Sequence, residues 1–388
     1  MAFDIEKATQ AYLATLPQDV VTRSTGYTNG GHWVLLFDFI ISLLACYLIV
    51  KWGYLEKIGL RLEAKRPRPL LKSFLIPLVF LFIQTIITLP WTIFTSYHRE
   101  HFYGLSKQPF GDWFGQFALS TLIGNFIFAL AFIGIYALLR RFKKTWWIWS
   151  SLAGGVFALI ALILSPIFIE PLFNKYQPFP EGVVKNAIVE LAVQSKVPTD
   201  KIYVFDGSRQ RSVVTANVSG AFGTARLAVS DMALQKTSLA ETRAVVGHEI
   251  GHYALKHTLK LVVFVTILML IAFYAGQKLF LPFAKAFGLK DAEIDNPVAI
   301  GVLIACFSTI FFIFTPVNNS ALRLVEIESD NYSLMSAKEP DGLATALLKT
   351  AEYRKANPSK LEEIMFYDHT SVENRVRNAM KWKSEHTN

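Results

Sequence analysis

Six long apolar segments alternate with polar segments along this chain. They cover residues 33–50, 74–97, 113–139, 147–169, 259–281 and 297–316. A membrane-spanning helix needs about 20 largely apolar residues, because its backbone must satisfy its own hydrogen bonds in the hydrocarbon. Tryptophans at several segment ends are typical of the membrane–water interface. The pattern therefore predicts six membrane spans, the second of them kinked at Pro77 and Pro90.

The polar segments between these spans predict a polytopic, mainly α-helical protein with one compact polar domain. The predicted regions are an N-terminal segment (1–32), a membrane domain of four spans (33–169), a polar insert (170–258), two further spans (259–316) and a C-terminal helical region (317–388). Periodicity and turn residues within the insert predict helices over 183–197 and 239–257, and strands over 201–205 and 225–230. The expected fold class is thus a membrane helix bundle joined to a domain with a small β-sheet.

Composition supports a membrane protein and excludes a disordered one. Of the 388 residues, 52% are hydrophobic and only 18% are charged, whereas soluble domains carry about 25% charged residues. The 39 basic residues exceed the 30 acidic ones and flank the apolar segments, so we expect contact with lipid headgroups and not with nucleic acid. Cys46 and Cys306 lie within apolar segments, which excludes a disulfide framework and a cysteine-based zinc site.

The polar insert carries an HExxH motif at residues 248–252. On a helix, His248 and His252 lie on one face about 6 Å apart, so that both can bind one zinc ion. Glu249 between them can reach a water on that ion and act as a general base. The alternative is a pair of ordinary surface or core histidines. Because the predicted helix supports the motif, the sequence favours a zinc-dependent hydrolase.

A catalytic zinc site needs a third protein ligand. Position 258, where one known zinc motif has a histidine, is Thr258, and His257 points away from that slot on a continuous helix. His257 is therefore expected to support the ligands or to pack against them. The better candidate is Glu326, which shares a helix face with Asp330 four residues later.

Spacing alone leaves Glu326 as one candidate among all the acids later in the chain. Glu326 could instead form an ordinary helix ion pair with Arg323. Glu328 lies about 200° around the helix from Glu326, so both acids cannot face one ion. The pair most consistent with the motif is Glu326 on the metal and Asp330 on a ligand histidine.

Five stretches of the chain resemble the integral-membrane zinc proteases of the CAAX prenyl protease type 1 group. They are HEIGHYALKH at 248–257, RLVEIESD at 323–330, EPLFNK at 170–175, KIYVFDGS at 201–208 and HTSVENR at 369–375. The resemblance implies a helical membrane chamber capped by a zincin-like domain. It also implies one Zn²⁺ per chain, held by His248, His252 and Glu326, with Glu249 as the base.

Further residue roles follow from the resemblance alone. It implies that Asp330 supports the ligands, that His369 stabilises the transition state and that Arg375 is its structural companion. It places Asn217 near an edge strand, at 217–222, that holds the substrate backbone. The expected partners are a peptide or lipidated peptide and membrane lipid.

The chain also departs from that family's pattern. Leu322 replaces a serine, Asn217-Val218-Ser219 replaces Asn-Ala-Tyr, and Thr370 and Ser371 replace two prolines. Eukaryotic members are described with seven spans, against the six counted here. These differences concern substrate choice more than zinc chemistry, so cleavage of a prenylated CAAX tail does not follow.

Two other functions compete with a membrane-associated zinc endopeptidase. One is a site-2-type intramembrane protease, which places HExxH inside a span. The other is a transporter or binding protein that carries zinc without hydrolysis. The polar helix around 248–252 favours the endopeptidase over the first alternative.

The charge distribution and the resemblance disagree on sidedness. The basic segments 51–73 and 140–146 would put the zinc domain on the non-cytoplasmic side, whereas the resemblance implies a cytosol-facing site. The segment 51–73 could also simply bind lipid headgroups. We expect a multi-pass protein of a bacterial plasma membrane.

Overall fold

The computed structural model describes residues 3–220, 225–289 and 291–386. Within these residues the chain forms the helices α1 Ile5–Leu13, α2 Gln18–Trp52, α3 Tyr54–Glu63, α4 Pro69–Ile93, α5 Arg99–Phe102, α6 Phe110–Arg141, α7 Trp146–Leu164, α8 Glu170–Phe173, α9 Val183–Gln194, α10 Asp231–Lys236, α11 Leu239–Ala254, α12 His257–Ala286, α13 Ile300–Ile313, α14 Thr315–Ala337, α15 Pro340–Thr350, α16 Lys360–Phe366 and α17 Val372–His386. The strands are β1 Tyr176–Pro178, β2 Ile202–Phe205, β3 Ala216–Ser219 and β4 Arg226–Ser230. Short π-helical turns join α4 to α5 and α7 to α8.

Five helical segments of the described chain are long and apolar enough to span a membrane. They are Gln18–Trp52, Pro69–Phe102, Phe110–Arg141, Trp146–Phe173 and His257–Ala286. A sixth span arises if α13, with the short turn before it, and α14 count together across their 54° bend. Each predicted apolar segment falls within one of these spans, which confirms the predicted polytopic helix bundle.

Two of the spanning helices are longer than a bilayer requires. Helices α2 and α6 have 35 and 32 residues, or about 50 Å each at 1.5 Å per residue, against about 30 Å of hydrocarbon. Their N-terminal parts reach the polar domain. Thr28 Oγ1 accepts a hydrogen bond from Lys355 N at 2.9 Å, and Asp112 Oδ1 accepts one from Arg209 Nη2 at 2.7 Å. The basic segments that follow α2 and α6 therefore lie at the opposite end of the bundle from the polar domain.

The polar domain contains a four-stranded sheet in the order β1-β2-β4-β3. Strand β4 runs parallel to β2 and antiparallel to β3, which lies at one edge. Apolar side chains of the sheet pack on helices α9 and α11, and the buried set includes Ile188, Leu191, Leu227, Val229 and Ile250. The predicted helix over 183–197 and both predicted strands form as α9, β2 and β4. Helices α14, α15 and α17 complete the domain on the other side of α11.

The predicted helix over 239–257 is wrong at its C-terminal end. Helix α11 ends at Ala254, and α12 begins anew at His257. Lys256 between them has a left-handed backbone conformation with φ of 55°, which turns the chain from the polar domain into the membrane. Left-handed residues are usually glycine or asparagine, so a lysine gives no sequence signal of this break.

Candidate metal centre

Helix α11, which carries the HExxH motif, is defined at its N-terminus by a capping box. Ser238 Oγ accepts a hydrogen bond from Glu241 N at 3.3 Å, and Glu241 Oε2 accepts one from Ser238 N at 2.6 Å. Such reciprocal bonds satisfy N–H groups that have no partner within a helix. The helix lies in the polar domain, before the α12 span. This position differs from the site-2-type arrangement, in which the motif lies inside a span.

Two glycines in and beside the motif allow α14 to approach α11 closely. A Cβ atom added at Gly251 would lie 3.2 Å from Cα of Ser329, and one added at Gly247 would lie 3.3 Å from Cα of Ser333. Both distances are shorter than ordinary carbon contacts. The close approach brings the acidic residues of α14 within reach of the motif histidines.

Three potential ligands converge between these helices. His248 Nε2 lies 3.1 Å from His252 Nε2 and 3.2 Å from Glu326 Oε2. His252 Nε2 lies 3.5 Å from Glu326 Oε1. The same three residues form a group whose ligand atoms all lie within 4.8 Å of one another. Arg323, the alternative partner of Glu326, instead donates to the carbonyl oxygens of Glu363 and Tyr367.

The protonation of these groups fits a bound cation. Asp330 Oδ1 lies 2.9 Å from His248 Nδ1 and can accept a hydrogen bond from it, an arrangement that leaves the lone pair of the neutral ring on Nε2. The buried Glu326 Oε2 finds no well-oriented hydrogen-bond donor among the described residues, although two histidine Nε2 atoms lie within 3.2 Å. Ligand atoms at 2.0–2.1 Å around a tetrahedral zinc are about 3.3 Å apart. The observed spacing of 3.1–3.5 Å therefore suits such an ion.

Asp330 and Arg375 form a buried ion pair behind His248. Arg375 donates from Nε to Asp330 Oδ2 and from Nη2 to Oδ1, both at 2.7 Å. The side chain of Arg375 is only 9% exposed and that of Asp330 only 3%. The two-point contact orients the carboxylate that holds His248, as supporting residues do in metal sites.

His252 is held from the other side by His257. The two Nδ1 atoms lie 3.0 Å apart, and His257 Nε2 lies 2.9 Å from Glu328 Oε2. As predicted from spacing, Glu328 points away from Glu326 and lies at the surface. Although the helix breaks before His257, this residue still contacts a motif histidine.

Glu249 lines a cavity of about 230 Å³ beside the convergent ligands. The cavity is also lined by Val214, Thr215, Ala216, Val245, His248, Leu343, Ala346, Leu347, Thr350, Tyr353, Arg354, His369 and Arg375. Burial raises the pKa of Glu249 to about 7, because a charged carboxylate is less stable away from water. A carboxyl group with such a pKa is well suited to accept and return a proton near neutral pH.

His369 enters the same site from the loop before α17. Its Nε2 lies 3.1 Å from Glu326 Oε2, and its Nδ1 lies 2.9 Å from Asp368 Oδ1. Burial opposes the ionisation of Asp368, but its hydrogen bond with His369 outweighs this effect and lowers the Asp368 pKa to about 2. Asp368 thereby fixes the ring with Nε2 directed at the metal site.

Asn217 lies on the edge strand β3, opposite Ala228 of β4. Thr215 and Ala216 line the cavity, whereas Asn217 is not among the described residues that do so. The predicted strand at 217–222 forms only over Ala216–Ser219, and residues 221–224 lie outside the described residues. The edge strand thus reaches the cavity one or two residues before the predicted contact.

Sequence reasoning did not single out Asp368, Glu328 or Arg354 as part of the site. Asp368 directly precedes His369, and an acid next to a candidate catalytic histidine could have been noted as a signal. Glu328 was excluded as a ligand, and its contact with His257 depends on the helix break. Arg354, whose Nη2 lies 3.6 Å from Asp368 Oδ1, comes from a segment without a recognisable motif.

The fold and the site together define a membrane-embedded metalloprotease, and the chain belongs to peptidase family M48. The model of that family matches residues 178–383. A second model, described as the CAAX prenyl protease N-terminal region with five membrane helices, matches residues 6–175. The described residues of that range contain four helical segments long enough to span a membrane.

Individual relatives extend over much of the chain. A Bacillus subtilis protein named "Uncharacterized metalloprotease YhfN" is 26% identical over 383 residues, which cover 97% of this chain and 89% of that protein. A CAAX prenyl protease 1 homolog of Oryza sativa is 31% identical over 69% of this chain and 63% of its own length. The crystal structure of S. mikatae Ste24p shares the fold, with a TM-score of 0.76, 21% identity, and coverage of 97% of this chain and 94% of that one.

Proposed function

We propose that this metalloprotease is a zinc endopeptidase in which His248, His252 and Glu326 hold the ion. The observation that carries the proposal is the convergence of two histidine Nε2 atoms and one carboxylate at 3.1–3.5 Å. Two histidines and a glutamate are a common ligand set of catalytic zinc. The closely packed helices α11 and α14 support a preformed arrangement of these three groups.

Zinc, when bound, supplies polarisation of a peptide carbonyl and a water whose pKa falls toward about 7. Glu249 accepts the proton of the attacking water and delivers it to the nitrogen of the leaving amine. With a proton on each ring nitrogen, His369 donates from Nδ1 to Asp368 and from Nε2 to the oxygen that develops negative charge. Asp368 keeps the His369 ring in this orientation through Nδ1.

The substrate in this proposal is a membrane-associated or lipidated peptide, and a prenylated CAAX-type tail is one form of it. An extended peptide would add as a strand beside β3, where backbone hydrogen bonds give affinity with little demand on sequence. Asn217 would then hold its backbone from the same strand. Relatives named CAAX prenyl protease 1 homologs support this substrate class. A Bacillus subtilis relative that aligns over 97% of the chain supports a bacterial plasma membrane.

The deciding experiment compares the wild type with Glu249→Gln. We expect the variant to keep wild-type metal content but to lose peptide hydrolysis by about 10²–10⁴-fold, because the base is gone while the ligands remain. Glu190→Gln, an exposed glutamate on α9, is the matched control. Equal cleavage by Glu249→Gln and wild type contradicts the proposed base, and bound zinc without any hydrolysis by the wild type favours a transporter or binding protein.

A further inference from the structure

A row of side chains leads from the metal site to the protein surface. His257 is 1% exposed, and its Nδ1 faces His252 Nδ1 at 3.0 Å. Its other nitrogen, Nε2, lies 2.9 Å from Glu328 Oε2, and the Glu328 side chain is 48% exposed. Lys260 Nζ lies 2.6 Å from the same oxygen. Glu328, where the row reaches the surface, lies on the same helix α14 as Glu326.

The proton positions along the row are linked to one another. His252 binds a metal through Nε2 only if its proton is on Nδ1, which then donates to His257 Nδ1. His257 must in turn carry its own proton on Nε2, where the Glu328 carboxylate accepts it. Ser329 Oγ, 3.3 Å from His257 Nδ1, can donate to the same lone pair. Without an acceptor at Glu328, His257 can place its proton on Nδ1, which drives the His252 proton onto Nε2.

We propose that Glu328 is a positioning residue for the metal centre that acts through His257 to keep His252 Nε2 free of a proton. The proposal rests on the proposed zinc site. Lys260, one turn into α12, holds the carboxylate beside His257 while leaving its acceptor function intact. The residue that sequence spacing excludes as a ligand thus controls a ligand from the opposite face of the same helix.

The test measures metal affinity by chelator competition with the purified full-length protein in detergent. We expect Glu328→Ala to bind Zn²⁺ about 10–100-fold more weakly, the range typical of lost supporting contacts. In a His257→Phe background, the same substitution should change affinity no further, because its route to His252 is gone. Glu181→Ala removes a carboxylate that pairs with Lys185 at an 83% exposed position and serves as the matched control. It should bind Zn²⁺ as the wild type does.

The proposal is overturned if Glu328→Ala binds Zn²⁺ with wild-type affinity. It is also overturned if Glu328→Ala weakens Zn²⁺ binding as much in the His257→Phe background as in the wild type. If the His257→Phe protein does not fold, Glu328→Gln decides, because its amide oxygen can still accept from His257 Nε2. Affinity closer to wild type than that of the alanine variant supports the proposal, and an equal loss overturns it. A wild-type protein that binds no Zn²⁺ contradicts the proposed function itself, so the two failures are distinguishable.

Discussion

The two histidines of the HExxH motif are supported by very different surroundings. His248 is held directly by Asp330, whose side chain is 3% exposed and is bound at two points by Arg375. His252 is held indirectly, through His257, by Glu328 at the surface. In both arrangements a potential acceptor faces Nδ1, so that the lone pair of the neutral ring can lie on Nε2. We call Asp330 and Arg375, which support His248, the buried wall of the site. We call His257, Glu328 and Lys260, which support His252 and reach the surface, the open wall.

Burial determines how much each wall contributes to folding. A charge removed from water must be paired, and losing one partner leaves the other uncompensated. An exposed pair such as Glu328–Lys260 remains hydrated and contributes little to stability. The buried wall therefore couples the candidate metal site to the fold, whereas the open wall can be altered with little effect on folding.

Arg375→Ala should break the buried wall and give the largest effect. It leaves Asp330 buried without its counter-charge, so we expect the free energy of unfolding to fall by about 3–5 kcal/mol. Arg377, two residues further on α17, pairs with Glu6 and Glu373 at the surface, and Arg377→Ala should lose at most about 1 kcal/mol. Thermal unfolding of the metal-free proteins in detergent compares them. Equal losses would show that burial does not distinguish the two walls.

The buried wall was partly predictable from sequence. The HExxH motif on a helix predicts two candidate ligands and a candidate base, and the spacing of Glu326 and Asp330 indicates a shared face. The number and position of the apolar segments also follow directly from hydrophobicity. What spacing cannot supply is which histidine Asp330 touches, since that depends on how α11 and α14 pack around Gly247 and Gly251.

The open wall was less predictable because it depends on irregular backbone. The break at Lys256 carries no glycine or proline, so sequence reasoning continues the helix and directs His257 elsewhere. His369 comes from a loop more than a hundred residues after the motif, and only a family resemblance suggested it. Residues brought together by loops and bends have no periodicity from which to infer their contact.

Matched amide substitutions sharpen the comparison of the two walls. In Asp330→Asn, an amide oxygen at the Oδ1 position can still accept from His248 and from Arg375 Nη2, but the N–H₂ group then faces Arg375 Nε, and Arg375 loses its buried counter-charge. We expect about 100-fold weaker metal binding, the upper end for a supporting residue. Glu328→Gln at the surface can rotate to present its oxygen, so its loss should stay within about tenfold. Chelator competition measures both, and the reverse order would refute the assignment of buried and open walls.

Asp368→Asn should have the smallest effect and should act on turnover alone. Asp368 supports His369, which contacts Glu326 but is not one of the three convergent ligands. Loss of one charge-assisted hydrogen bond should lower kcat about tenfold, because the ring is no longer held toward the reacting oxygen. Metal affinity should remain that of the wild type, as it should in the exposed control Asp200→Asn. A fall in metal affinity with unchanged kcat would show that His369 supports the metal ligands and does not act on the substrate.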